Sequence, residues 1–251
     1  MTIKNWKNKH VCFLGDSITE GVFVTPETTY WGDLEKNVGI ISHGFGVNGA
    51  RMCGAIDQIR RMADSVGENV DAIFILMGTN DFYGNTPMGE WYKLSEEEVV
   101  LVKNDDGTPV VKEKRKVRSF DFDGSTFKGN INIVLSQLKM NYPEAQIVLM
   151  TPIHRAYACF ANDNIQYNEL YANAHGLFLE DYVNALKEAA NIWATELIDL
   201  HSVSGLFPMY DKNASLYFNN TEWDRLHPNA AGHLRIAKVI ESKLPTIPLF
   251  R

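Results

Sequence analysis

Short uninterrupted apolar runs alternate along the chain with longer stretches of helical period. Val11 to Leu14 ("VCFL"), Gly39 to Ser42 ("GIIS"), Ala72 to Leu76 ("AIFIL"), Ile147 to Met150 ("IVLM") and Leu197 to Leu200 ("LIDL") predict strands. Their apolar residues are continuous rather than alternating, the pattern of strands buried on both faces. Between them, Met52 to Ala63 sets Ile56, Ile59 and Met62 on one face and Asp57, Arg60 and Arg61 on the other. Thr126 to Tyr142 carries Ile131, Leu135 and Leu138 at helical spacing, and Glu180 to Ala190 and Ala230 to Leu244 continue the pattern. Strand alternating with helix predicts an α/β fold, a parallel sheet covered by helices on both faces. Sites in such folds sit beyond the carboxyl ends of the strands.

Residues 85–125 break the rhythm. Two β-rich runs, Val99 to Lys103 and Thr108 to Val111, flank Asn104 to Gly107, a turn signal. They predict an inserted β-hairpin. The basic run Lys112 to Lys116 reads as a solvated edge that resists strand pairing. Because the insert follows a strand end, a lid over the site is the alternative. The expectation for residues 1–251 is one domain carrying this insert.

Composition narrows the function. The chain has 251 residues, 45% hydrophobic and 22% charged, which suits one large domain with a substantial core. A formal net charge of −7 disfavours nucleic acid or anionic membrane as a partner. No apolar run reaches the ~18 residues of a membrane-spanning helix, and no signal peptide is visible at the N-terminus. Cys12, Cys53 and Cys159 are odd in number and widely spaced, so no disulfide framework is expected and a reduced, cytoplasmic setting is. The oligomeric state is left open.

Candidate chemistry follows the strands. After the first comes "GDSIT", Gly15 to Thr19; after the second, "HGFGVNGA", His43 to Ala50; after the third, "GTND", Gly78 to Asp81; and near the C-terminus, "DRLHPN", Asp224 to Asn229. A parallel sheet brings these segments to one rim. A serine hydroxyl needs a base, and His227 can supply one. Asp224, three residues earlier, can hold the ring through its other nitrogen, and one loop can carry both. Pro228 biases His227 toward extended backbone.

Gly44, Gly46, Gly49 and Ala50 also spell G-x-G-x-x-G-A, the dinucleotide fingerprint. That motif belongs after the first strand, with an acid ending the next one. Here it follows the second strand, and Asp71 would precede its strand. The glycines read instead as a tight turn at Gly44 and Gly46, with Gly49 leaving room for its N–H to face a ligand oxygen.

Ser17 in G-D-S-x-T, Gly49 in "GVNGA", Asn80 in G-x-N-D, and Asp224 with His227 in D-x-x-H-P together resemble the four signature blocks of the SGNH (GDSL-like) hydrolase family, in family order over most of the chain. The resemblance implies a flavodoxin-like three-layer α/β/α fold with about five parallel strands. It implies a serine esterase working through an acyl-enzyme, with a small-molecule ester as partner and no cofactor. Ser17, His227 and Asp224 would be catalytic. The backbone N–H groups of Ser17 and Gly49 and the side-chain amide of Asn80 would form the oxyanion hole, with the helix following Ser17 adding its dipole. Short acyl groups on carbohydrate are the expected substrates. A lipase, a lysophospholipase, a thioesterase or a non-catalytic glycan-binding module are the alternatives.

Other residues read more plainly. Asp16 is expected to organise the serine turn, and Asp81 to support the Asn80 loop. His233 reads as structural, as does His154, whose alternative is a place at the rim. His10, His43, His175 and His201 have no partners at informative spacing. No H-E-x-x-H motif or clustered Cys/His set is present, so no catalytic metal is expected. Of Trp31, Phe82, Tyr83, Trp91, Tyr92 and Trp223, one or two are candidates for a substrate wall, and the rest for core packing.

Overall fold

A computed structural model of the chain describes residues 3–161 and 164–250. The chain opens with β1 (His10–Gly15), a single-turn α1 (Ser17–Glu20), α2 (Tyr30–Val38), β2 (Ile41–Gly44), α3 (Ala55–Val66), β3 (Ala72–Leu76) and α4 (Thr79–Tyr83). Next come β4 (Tyr92–Lys103), β5 (Pro109–Phe120), α5 (Phe127–Asn141), β6 (Gln146–Met150), β7 (Ala158–Phe160), β8 (Asn164–Gln166) and α6 (Leu179–Trp193). The remainder holds β9 (Glu196–Ile198), α7 (Leu200–Val203), α8 (Asp211–Tyr217), β10 (Phe218–Asn220), β11 (Asp224–Pro228) and α9 (Ala230–Lys243).

The central sheet has five strands in the order β2-β1-β3-β6-β9, and every pair is parallel. Alternate residues of each strand feed opposite faces, as the two-residue period requires. Cys12, Leu14, Ile73, Ile75, Ile147 and Leu149 pack under α3, α5 and α6. Val11, Phe13, Ala72, Phe74, Leu76, Val148 and Met150 pack under α2 and α9. This is the three-layer α/β/α architecture, and it explains the unbroken apolar runs: neither face of β3 or β6 meets water.

Two strand expectations shift. The run at 39–42 yields β2 only from Ile41, because Gly39 is spent as the C-cap of α2 at φ +80°. The run at 197–200 stops at Ile198, because the Asp199 side chain accepts from the Ser202 backbone N–H and starts α7.

The hairpin is longer than the expected 99–103 and 108–111. β4 and β5 pair antiparallel from Tyr92–Phe120 at the root to Lys103–Pro109 beside the turn. Ion pairs such as Lys112–Glu98 at 3.0 Å line its surface. At the root Phe120 stacks on Trp193 at the end of α6, centroids 4.3 Å apart, and the Trp91 indole donates to Glu188 at 2.7 Å.

The largest departure is a second sheet. β10, β11, β7 and β8 form four antiparallel strands beside the carboxyl rim. "DRLHP" is therefore not a loop after the last parallel strand but β11 itself. Its short strands carry too little periodicity to announce themselves in sequence.

Candidate active site

The turn after β1 is clamped from every side. Gln58 of α3 accepts from the Gly15 N–H at 2.8 Å and donates to the Gly15 carbonyl at 2.7 Å, so both backbone groups at the strand end are paired. Asp16 caps α1 by accepting from the Ile18 N–H at 3.0 Å. The Thr19 hydroxyl bonds the Tyr30 hydroxyl at 2.9 Å, and the Trp31 indole donates to the Thr19 carbonyl at 2.9 Å. Asp16 thus organises the turn as expected, and burial pushes its carboxyl up to about 6. Ser17 is the first residue of α1, where a backbone N–H has no intrahelical acceptor. Because α1 is a single turn, a helix dipole adds little there, and the individual N–H is what matters.

The Ser17 Oγ lies 2.9 Å from Nε2 of His227. On the other side of the ring, Nδ1 of His227 is 3.1 Å from Oδ2 and 3.2 Å from Oδ1 of Asp224. Asp224 also accepts from the backbone N–H groups of Leu226 and His227 and from the Asn219 amide, at 3.0–3.2 Å. Asp224 has no exposed surface. Burial pushes its carboxyl up, but the His227 ring, the His227 backbone and Asn219 together outweigh this and hold it below the ordinary carboxylate range. An ionised Asp224 requires the proton on Nδ1, which leaves Nε2 as the acceptor facing Ser17. Two residues three apart in a strand would face opposite sides; here the Asp224 carboxylate instead folds back onto the Leu226 and His227 N–H groups, and that local turn brings it beneath the ring.

Gly49 and Asn80 complete the rim. The Asn80 amide donates to the Ala50 carbonyl at 3.1 Å, which fixes the side chain and leaves its second N–H to the cleft. Asp81 accepts from the Met52 N–H at 2.9 Å and so ties the Asn80 loop to the glycine segment, the supporting part expected of it. Burial pushes the Asp81 carboxyl up to about 7. Gly49 sits at φ +74° with nothing within 4 Å of where a Cβ would stand. The reading of Gly44 and Gly46 as a tight turn is corrected: Gly44 ends β2, and the turn lies after Gly46, closed by the Ala50 N–H on the Val47 carbonyl at 3.0 Å. A Cβ at Gly46 would lie 2.2 Å from the Glu20 N, and one at Gly44 would lie 2.9 Å from the Trp31 ring. Both glycines serve close packing against α1 and α2.

These residues surround a cleft of about 260 Å³. Ser17, Gly49, Asn80 and His227 line it, with amide side chains from Asn48, Asn164 and Gln166 and rings from Phe23 and Phe160. Both rings pack edgewise or tilted on His227, with centroids 5.5 and 5.4 Å away. Neither phenylalanine was a candidate wall by sequence. Of the aromatics that were, Trp223 stands behind Phe23, Phe82 is core, and none of the six lines the cleft. No residue of 85–125 lines the cleft.

Arg155 went unnoticed in sequence. It is fully buried, donates to the Thr79 carbonyl and hydroxyl at 3.4 and 3.2 Å, and to Gln166 at 2.6 Å. It thereby joins the Asn80 turn to the β8 wall of the cleft. Burial lowers its guanidinium to about 10. His233 is structural as expected, with Nδ1 accepting from the Tyr30 N–H at 3.2 Å and its ring stacked on Tyr30. His201 does have a partner: its ring lies tilted against that of His154, centroids 3.7 Å apart, and Glu169 lies beside both. His10 and His43 pair likewise, 3.0 Å apart.

Comparison with known proteins bears on the whole chain. A curated 6-phospho-beta-galactosidase from Leptotrichia buccalis is 22% identical over 241 residues, covering 91% of this chain. The chain spans about half of that relative's length, 49%. A possible lipase from Chitinophaga pinensis superposes with a TM-score of 0.67 at 22% identity, over 94% of this chain and 98% of the other. An acetylxylan esterase from Geobacillus stearothermophilus, solved as a catalytic mutant, superposes with a TM-score of 0.55 at 18% identity, over 96% of each chain. At such identities the likeness is one of fold. No helix among the described residues is long and apolar enough to cross a membrane. The sequence model of the GDSL-like lipase/acylhydrolase family matches residues 13–235, so the chain belongs to that family.

Proposed function

We propose that the protein is a serine esterase that removes short acyl groups, acetyl foremost, from carbohydrate. The observation that carries this reading is the unbroken hydrogen-bonded line from the Ser17 Oγ through His227 to Asp224. Ser17 attacks the ester carbonyl while His227 Nε2 takes its proton, and Asp224 stabilises the imidazolium that forms. The oxyanion is received by the N–H groups of Ser17 and Gly49 and by the Asn80 amide. His227 then returns the proton to the leaving alcohol. In the second half it deprotonates the water that hydrolyses the acyl-enzyme. Solved forms of the acetylxylan esterase are catalytic mutants at a serine, an aspartate and a histidine, the same three residue types.

The cleft supports the substrate class. About 260 Å³ suits a small acyl group, below the ~300–1,000 Å³ of typical ligand pockets. Its amides from Asn48, Asn164 and Gln166 match sugar hydroxyls, and Phe23 and Phe160 offer apolar faces. Glycosidic cleavage needs two carboxyl groups flanking the bond, and among the described residues no Asp or Glu lines this cleft. At 22% identity over about half of the curated relative's length, its galactosidase activity is not carried over. A panel of aryl esters of increasing chain length, run beside acetylated xylo-oligosaccharides, tests the proposal. kcat/KM should fall as the acyl chain lengthens beyond a few carbons, and acetate should be released from the sugar. A preference for long chains would point to a lipase instead.

A further inference from the structure

Three chemistry-bearing side chains outside the cleft come together from segments distant in sequence. His154 follows β6, Glu169 follows β8, and His201 lies in α7 just beyond β9. Their ligating atoms all lie within 4.8 Å of one another. The His154 Nδ1 is 2.5 Å from Glu169 Oε1, and the His154 and His201 rings lie tilted by 35° with centroids 3.7 Å apart. The Nδ1 of His201 is buried and makes no hydrogen bond.

We propose that His154, Glu169 and His201 bind a divalent transition-metal ion of the zinc type, at a site separate from the Ser17 cleft. A hydrogen bond explains His154 with Glu169, whereas the His201 ring has a backbone contact to Pro152 that is too poorly formed to pair its buried Nδ1. A second imidazole held against the first, with a buried nitrogen lacking a partner, is a cost that coordination removes. Two imidazoles and one carboxylate form a zinc donor set, with water as fourth ligand. Calcium and magnesium take oxygen ligands and fit this set poorly. Ligand atoms around four-coordinate zinc stand roughly 3.3–3.5 Å apart, given bonds of ~2.0–2.2 Å, so for an ion to enter, the His154–Glu169 contact at 2.5 Å has to open and the two rings, now 3.7 Å apart, have to splay.

The surroundings already orient these groups, as an outer shell does at metal sites. The second oxygen of Glu169 accepts from the Arg155 N–H at 2.8 Å. The backbone N–H of His201 donates to the Thr151 hydroxyl at 3.0 Å, which donates to Asp199 at 2.8 Å. Phe207 meets the His154 ring edge-on, centroids 5.0 Å apart. A bound ion ties the loop after β6 to the loop after β8 and to α7. Arg155, next to His154, carries that restraint to Thr79 and Gln166 at the cleft wall.

The test uses tag-free full-length protein stripped with chelator. Zinc sulfate is titrated by calorimetry, and cobalt(II) chloride is followed by visible absorption. The site predicts one zinc per chain at micromolar affinity or tighter, a four-coordinate cobalt spectrum quenched by zinc, and a higher Tm with zinc. Glu169→Gln, His154→Ala and His201→Ala should each weaken binding at least tenfold, while His43→Ala, which breaks the other histidine pair, should leave it intact. Absence of zinc uptake by the wild type overturns the proposal whether or not the variants fold. So does uptake that survives His201→Ala and Glu169→Gln, or that disappears in His43→Ala. None of these outcomes depends on esterase activity.

Discussion

The Nε2 of His227 stands 2.9 Å from the Oγ of Ser17, although 210 positions separate the two residues along the chain. Two different sheets make that contact. Ser17 is delivered by the parallel sheet, at the turn after β1, and His227 by the antiparallel sheet, on β11. Asp224 holds the ring from behind with no exposed surface of its own. The chemistry proposed for the cleft depends on this junction of the two sheets.

Asp224→Asn tests the orienting carboxylate. The amide keeps the size of the side chain but loses the charge that stabilises an imidazolium and selects the Nδ1–H tautomer. The expected loss in kcat on an aryl acetate is about 10³–10⁴-fold, with circular dichroism unchanged. A loss under tenfold would remove Asp224 from the mechanism.

Gly46→Ala probes the packing of the nucleophile turn. The new methyl would lie 2.2 Å from the Glu20 N and 2.6 Å from the Thr19 carbonyl carbon, so α1 has to move. Overpacking of this kind costs about 1–3 kcal/mol, and the displaced Ser17 should lower kcat as well. Gly49→Ala meets no atom within 4 Å, but its φ of +74° imposes about 1–2 kcal/mol of backbone strain. Chemical denaturation of both variants gives the two costs. Equal activity in Gly46→Ala and wild type would show that α1 yields without moving Ser17.

How much of this was legible in sequence differs from part to part. The central sheet was legible because each strand is an unbroken apolar run buried on both faces, as in β3 and β6. The residues around the cleft were legible because three blocks carry a distinctive polar cluster just after a parallel strand, and the fourth, "DRLHP", carries one within β11. The antiparallel sheet was not, because β7, β8 and β10 are three residues long and hold no period to read. Phe23, Phe160 and Arg155 were hidden for a related reason. Nothing in their local sequence distinguishes a cleft-facing ring or a bridging guanidinium from ordinary packing. The meeting of His154, Glu169 and His201 belongs to the tertiary structure alone, since no two of them share an element.

Stability should respond to pH through two buried groups with opposite slopes. Asp81 in the folded chain holds its proton up to about 7, whereas an unfolded aspartate releases it near ~3.9. Its contribution is thus full below ~4 and is lost as pH rises toward 7. Burial lowers His233 to about 3, so the folded chain resists a proton that the unfolded chain accepts near ~6.5. That contribution is full above ~6.5 and is lost as pH falls toward 3. Asp81→Asn should therefore gain Tm relative to wild type as pH rises from 4 to 7. The acid-side fall below pH 6.5 should persist in that variant. A Tm difference between Asp81→Asn and wild type that stays constant from pH 4 to 8 would refute the assignment for Asp81.

Removing the hairpin separates arm from site. Its only described anchors near the body are at the root, such as Phe120 on Trp193 and Trp91 on Glu188, and none of its residues lines the cleft. Replacing residues 95–117 with a short turn keeps that root. kcat/KM on an aryl acetate should then stay within about threefold of wild type. A tenfold fall would mean that the arm reaches the substrate.

The most direct measurement is turnover of an aryl acetate by wild type and by Ser17→Ala, with folding checked by circular dichroism. The account predicts steady release of the phenol and acetate by wild type and a loss of at least a thousandfold in the folded Ser17→Ala variant. Comparable turnover by the two proteins would contradict it.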